Sequence, residues 1–309
     1  MKKVFLLVFT LALFTGCQNE PLDDGFAGLD NPTGPENPGG STNSDDLKLS
    51  SYKFNVDTTI PILGDFTLNT NFVMNTDNRV ATLDVNSLLL GTAVVGSGTI
   101  TRDGSGKVIT FKSFEGTTQQ NQTNITYNGN DISSIEYDDL EDDTEDYTYT
   151  FTTTGNVTTR TSSASSKSVE YTFNSDNQLT KKESTEAGSI LQTELLTYDA
   201  AGNCTNVVTT GENNNTTTYG FDAFTNPLKE AFSDQFHYSI FEADYDDEAG
   251  PNIVQFFGTN NWSSITTADG QVTFAMSYNA SNRIISRIGN YDLGDGVAIN
   301  QEELFNYVN

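Results

Sequence analysis

A recurring hairpin unit constrains this chain more than any other feature. An alternating strand ends on an aromatic, four or five residues rich in Asn, Asp and Gly follow, and a second strand begins on an aliphatic. Its best copies are Tyr171 to Leu179, Tyr198 to Cys204 and Tyr278 to Ile284; weaker ones run Met74 to Val80, Tyr127 to Ile132, Phe151 to Val157 and Phe221 to Pro227. From Tyr127 the anchors Tyr127, Phe151, Phe173, Tyr198 and Phe221 recur every 22 to 25 residues, the length of one β-hairpin plus its link to the next. Between them Val169, Tyr171 and Phe173 alternate with Glu170 and Thr172, as Val272, Phe274, Met276 and Tyr278 alternate with Thr273, Ala275 and Ser277. A period of two with Asn and Gly at the turns predicts an antiparallel meander with one apolar and one wet face.

About eighteen such strands cannot remain a flat open sheet, because twist and unpaired edges drive a long meander to roll or close. The expected fold is therefore all-β, an antiparallel meander of hairpin repeats rolled or closed into a barrel-like sheet over residues 47–309. With the apolar face inward it is a water-soluble roll; with that face outward it is a membrane barrel. Many strands carry Thr, Ser or Lys even on the better face, which favours the inward arrangement. Thr225 to Phe236 is the best place for a short helix, with Pro227 confining it to a first turn, and Phe236-His237-Tyr238 reads as strand.

The N-terminus predicts an address. Lys2 and Lys3 precede an apolar run from Val4 to Phe14, too short to cross a bilayer and suited to a secretory signal over residues 1–16. Leu13-Phe14-Thr15-Gly16-Cys17 resembles the bacterial lipobox, which implies cleavage before Cys17 and lipidation of that residue. Residues 17–46 hold four of the seven prolines (Pro21, Pro32, Pro35 and Pro38) among Gly, Asn, Ser and Asp, a composition that predicts a tether. Glu20, Asp23 and Asp24 resemble the acidic signal that sends some Bacteroidetes lipoproteins to the cell exterior. An anchored protein on one face of the outer membrane is the expectation, with the membrane as a partner through the lipid.

The hairpin units, above all Leu195 to Asn203 with Tyr198-Asp199 and Gly202-Asn203, resemble the YD repeats of the RHS family, in which such repeats line a rolled sheet. Together with the lipobox and tether they are similar to Bacteroidetes lipoproteins of unknown function described as having a porin-like fold. That resemblance implies an architecture and supplies no activity.

Several chemistries are excluded. Lys and Arg number 15 against 42 Asp and Glu, a formal charge of −27, so the cationic footprint that nucleic acid requires is missing. His237 is the one histidine, which removes zinc sites built on several imidazoles, and neither a nucleophile elbow nor a phosphate-binding glycine loop is present. With Cys17 lipidated, Cys204 has no partner for a disulfide and is expected to be a small buried residue.

The remaining candidates are acidic loops and one indole. Asp138, Asp139, Glu141, Asp142, Asp143, Glu145 and Asp146 place seven carboxylates in nine residues, a solvated loop or a calcium site in which oxygen ligands relieve the crowding. Asp244 to Glu248 is a second such loop, and Asp292 to Glu303 a partial calcium-loop match. Trp262 falls in a predicted turn, as a platform for a sugar ring or as core. Taken together, the sequence predicts a non-catalytic structural or binding module of the cell envelope, with a glycan or envelope protein as ligand and no cofactor other than calcium at the acidic loops. Function is expected in the loops 138–146 and 241–252. A porin-like outer-membrane component is the alternative, and a glycan-active hydrolase a third reading.

Overall fold

The computed structural model describes residues 47–60, 64–89, 91–268, 270–292 and 297–308. The signal, Cys17, the tether and residues 293–296 of the Asp292 to Glu303 match lie outside them.

Nineteen strands follow one another in chain order. The first group is β1 (Leu49–Ile60), β2 (Gly64–Met74), β3 (Val80–Leu89), β4 (Thr92–Arg102), β5 (Val108–Glu115) and β6 (Thr118–Asn128). Then come β7 (Asp131–Asp139), β8 (Tyr147–Thr154), β9 (Val157–Ser162), β10 (Lys167–Phe173), β11 (Leu179–Glu186), β12 (Ser189–Tyr198), β13 (Cys204–Gly211) and β14 (Asn215–Thr225). The last five are β15 (Asn260–Thr267), β16 (Gly270–Thr273), β17 (Ala275–Tyr278), β18 (Ile284–Asp292) and β19 (Ala298–Tyr307). Successive strands pair antiparallel, and β19 pairs with β1, where Tyr52 faces Phe305, so the sheet returns to its own first strand. The short strands β16 and β17 are two halves of one passage interrupted at Phe274, the first on β15 and the second on β18.

The alternation dictates which face is wet. Tyr52, Phe54 and Val56 on β1 and Val169, Tyr171 and Phe173 on β10 are buried, while Lys53, Asp57 and Glu170 between them are exposed. The outer surface is a field of Asn69, Asp84, Asn86, Thr150, Thr152, Thr161, Thr216 and Thr218 and residues like them. Large apolar side chains exposed among the described residues are scattered: Val95, Leu140, Ile190, Leu195, Ile285 and Val308. The apolar face is inside, as the patterning predicts.

One turn design recurs five times, beginning at Asn75, Asp103, Asn174, Asp199 and Asn279. In each, the side-chain Oδ1 of the first residue accepts the backbone N–H groups two and four positions on, at 2.8 to 3.1 Å. The fourth residue, Asn78, Gly106, Asn177, Gly202 or Asn282, sits at positive φ, where only Gly and Asn are at ease. The next strand then plants a residue that is at most 1% exposed: Val80, Val108, Leu179, Cys204 or Ile284. Cys204 thus serves as a small core residue, and burial pushes its thiol up to about 12. The Asp103 copy carries Arg102 where the others have an aromatic or Met, which hid it in the sequence. The Phe221 unit is no hairpin turn; β14 runs on to Thr225 and the chain then leaves the wall.

A ring of this many strands encloses more space than its own side chains fill. Residues 226–259, between β14 and β15, occupy that space. Asn226 fastens the base of the insertion, its Nδ2 donating to the carbonyls of Gln255 and Gly258 and its Oδ1 accepting from Leu228 N–H. Within it lie α1 (Leu228–Ala231), α2 (Phe236–Glu242) and α3 (Gly250–Asn252), the last continuing into a π-turn over Ile253–Phe257. Phe236-His237-Tyr238 is therefore helix, correcting the strand expected there, and helical structure extends well beyond the single turn expected near Pro227. Leu228, Ala231, Phe232 and Phe256 pack into one core cluster with Tyr52, Leu68 and Phe72. Tyr238, Ile240, Phe241, Ile253 and Val254 join a second with Tyr171, Leu196 and Val207.

Removing the turn anchor in Asp199→Ala is expected to lower stability by about 1 kcal/mol through lost amide caps. Asn282→Gly is expected to leave it nearly unchanged, since glycine accepts the same positive φ. Urea denaturation of the two variants beside the parent protein checks both.

Candidate functional site

Antiparallel order divides the loops between two rims. Turns entering an odd-numbered strand from β3 to β13 share one rim with the start of the 226–259 insertion; the β7–β8 and β11–β12 connections share the other. The insertion crosses from the first rim to the second and returns, so it touches the wall at every depth.

At the first rim Arg79 Nη1 donates to Glu230 O at 2.6 Å and Arg102 Nε meets Asp234 Oδ2 at 2.5 Å. Deeper, Arg160 Nη1 donates to the carbonyls of Phe241 and Ala243, both at 2.5 Å, with its guanidinium over the Tyr149 ring. Lys182 Nζ donates to the carbonyls of Asp244 and Asp247. Glu194 accepts from Ala249 N–H at 2.9 Å and Gly250 N–H at 2.8 Å. Burial pushes the Lys182 ammonium down and the Glu194 carboxyl up, each partly offset by the other's charge. Apart from Arg102, which meets the Asp234 carboxylate, these charged wall groups are committed to the backbone of the insertion, where they replace the water that a hollow lumen would supply.

On the opposite wall Arg287 and Glu303, at most 1% exposed, form a two-pronged ion pair at 2.8 and 2.5 Å. Tyr52 Oη donates to Glu303 Oε2, Gln301 Nε2 donates to Glu303 Oε1, and Gln255 of the insertion donates to Tyr52 Oη. Burial, reinforced by the Glu303 charge, raises the Tyr52 phenol well above its ordinary value, so it remains a donor. The network joins β1, β18 and β19 to the filling segment. Glu303, which the partial calcium-loop match had included, belongs to this strand-borne network.

The acidic loops converge at the second rim, where Tyr147 donates to Glu242 and Tyr245 Oη to Glu212 Oε2. Within the β7–β8 loop, Asp139 Oδ1 accepts from Glu141 and Asp142 N–H, Asp142 Oδ1 from Thr144 N–H and Oγ1, and Asp146 Oδ1 from Asp139 N–H. These carboxylates hold the loop by capping its own amides. Asp143 is exposed and Asp138 half-buried on the outer face of β7. Among the described residues no three His, Cys, Asp or Glu side chains converge in a metal-binding group.

Trp262 departs from the turn expected for it. It lies in β15 and is 3% exposed; its Nε1–H donates to Ser264 O and its ring packs edge-on against Tyr219 and Phe274. It is a core residue and offers no surface platform.

A cavity of about 290 Å³ opens at the first rim. Three hairpin ends and α2 build it: Asp131 and Ile132, Thr153 to Thr158, Phe173 to Asn177, and His237 with Phe241. His237 is gripped on its ring by Phe173, Phe236 and Phe241. Burial lowers its pKa against the opposing charge of Asp131, leaving the imidazole neutral at pH 7. The sequence marked each of these turns singly; what it could not display is that three consecutive turns of one parity meet the helix.

The clearest titrating group is Glu242, part-buried as a residue but with Oε2 sealed and unpartnered. Burial pushes its carboxyl up to about 7, against the hydrogen bond from Tyr147 and the charge of Arg160. A folded pKa above the unfolded value means that the native state holds the proton longer, so stability is full below about 4.5 and declines as pH rises to about 7. The decline attributable to this group is at most roughly 3 kcal/mol. Glu242→Gln is expected to flatten the fall in denaturation midpoint between pH 5 and 7.5, measured by thermal melts across that range.

No protein-family model matches the sequence, and no curated protein matches it. Among solved structures, a porin-like protein from Bacteroides uniformis aligns with TM-score 0.48 at 8% identity, over 85% of this chain and 98% of that one. A porin-like protein from Bacteroides vulgatus aligns with TM-score 0.25 at 11% identity, over 84% of this chain and 98% of that one. At these scores neither likeness carries over a family or an activity.

Proposed function

We propose that this chain is a lipid-anchored module of the bacterial cell envelope that works in water, presenting a rim and outer surface to a glycan or an envelope protein without catalysis. The observation that carries this reading is the polar outer face of the strands. A spanning barrel needs an outward apolar band about 25 Å tall; here Thr, Asn, Ser, Asp and Glu occupy those positions and exposed large apolar side chains are scattered. The filled lumen supports it, since residues 226–259 occupy the path that a conducting channel would use. Glu194 and Glu242, the buried carboxylates closest in character to a general acid, are engaged by backbone amides and by Tyr147 inside that filling. Lipid attachment at Cys17 and a tether through residue 46 would hold the barrel off the membrane, and the formal charge of −27 disfavours nucleic acid as a partner.

A porin-like outer-membrane component is the second reading, favoured by the return of β19 to β1. The two differ in what the strands face. Residues 18–309, expressed without the signal and Cys17, are expected to elute in detergent-free buffer as a single β-rich species and to conduct no ions across a planar bilayer. Aggregation relieved only by detergent, or stepwise conductance, would support the porin-like reading instead.

A further inference from the structure

Between α2 and α3 the insertion crosses the second rim as a strap, residues 243–249, with neither helix nor strand. Within it the backbone bonds to itself where Asp247 N–H meets Asp244 O, at 3.3 Å. Side chains of the wall supply the rest of its hold. Lys182 Nζ donates to the carbonyls of Asp244 and Asp247, Gln192 Nε2 to Asp246 O at 2.7 Å, and Arg160 to Ala243 O, while Glu194 accepts from the Ala249 and Gly250 amides. A segment held in this way can open without breaking any strand of the barrel.

The wall beneath the strap is polar at one level. Thr158, Tyr171, Lys182, Glu194 and Thr209 stand opposite one another on five successive strands, β9 to β13, and none is more than 6% exposed. Lys182 and Glu194 are direct cross-strand neighbours, yet each turns to the main chain of the strap.

Charge is out of balance in this place. Arg160 and Lys182 face Glu194 on the wall, Glu242 at the end of α2, and Asp244, Asp246, Asp247 and Glu248 on the strap. The other titrating groups packed here are Tyr171, Tyr198 and Cys204 beside Glu194, and Tyr137, Tyr147, Tyr149, Tyr171 and Tyr238 beside Glu242. Burial raises all of these phenols and the thiol, so they stay neutral and offset no charge. With every carboxylate ionised, the seated strap encloses negative charge that two cations cannot balance.

Burial pushes the Glu194 and Glu242 carboxyls up to about 7, and raises those of Asp247 and Glu248 against the Lys182 charge. Opening the strap returns such groups to water and to their ordinary values, so the seated form holds their protons longer. Its advantage is full below the ordinary 4.5 of a glutamate and declines as pH rises to about 7. Lys182, brought down to about 8 by burial, acts in the opposite sense, and only above that pH.

We propose that residues 243–249 form a pH-responsive strap, seated in mild acid and loosened as the pH rises through neutrality, which uncovers the Lys182–Glu194 row at the second rim. The inference goes beyond the binding-module reading, since it concerns a movement within the barrel and requires neither an anchor nor a particular ligand.

Amide hydrogen exchange of the purified full chain tests this, read by mass spectrometry and corrected for the chemical pH dependence of exchange. Protection of peptides spanning residues 243–250 is expected to fall by at least about tenfold between about pH 5 and pH 8. At each pH those peptides are expected to exchange ahead of β1 and β19, because the strap opens while the ring stays shut. Glu194→Gln and Asp247→Asn hold two of the carboxyls in a neutral form of similar shape, and each is expected to reduce the fall. Strap protection that is flat across this range would overturn the proposal, as would a strap protected as strongly as β1 and β19 throughout. A fall of undiminished size in both variants would overturn it too. Failure of the module reading appears separately, in the detergent requirement.

Discussion

Everything in this protein follows from the volume that a ring of about eighteen strands must enclose. Eight strands make a barrel that its own side chains can fill; at more than twice that number the choice is a water channel or a second body inside. Residues 226–259 are that second body. Their presence explains why the inner face tolerates Arg160, Lys182, Glu194 and the Arg287–Glu303 pair, each of which would be costly against a hydrocarbon core but here meets backbone carbonyls, amides or an opposite charge. The polar groups supply direction that apolar packing lacks, and they tie the insertion to the wall from several sides.

The arrangement inverts the logic of a spanning barrel, in which the outside is greasy and the lumen wet. Here threonines and asparagines cover the outside, where β-branching suits the strand and hydroxyls suit water. The aromatics, eleven per cent of the chain, are largely turned inward. An acidic surface of this kind keeps copies apart by mutual repulsion.

Much of the fold was legible in the sequence because its signals are local. The period of two fixed the wet and dry faces, and Asn or Gly at the fourth turn position marked where the chain reverses. Where the sequence misled, the governing contact was remote. The helix over Phe236 to Glu242 is apolar on most sides because wall surrounds it, so it has no amphipathic contrast to betray its period. Trp262 looked like a turn residue because Gly258, Asn260 and Asn261 precede it, yet Gly258 ends the insertion, and Asn260 and Asn261 already belong to β15, in which Trp262 is the third residue. The rim cavity was invisible for the same reason: Asp131 and Asn177 share a rim through the order of the strands between them, and His237 reaches them on a helix of the later insertion.

The seam between β1 and β19 carries a consequence in time. Tyr52 and Glu303 are 251 positions apart, so the ring cannot shut until nearly the whole chain has been made. Until then β1 presents an open edge, and the charged Lys53 and Asp57 along it discourage another chain from pairing there. Contacts of such separation form slowly. β19 also sets Glu303 opposite Arg287 of β18, so the strand that covers the β1 edge is the one whose carboxylate holds the most deeply buried guanidinium.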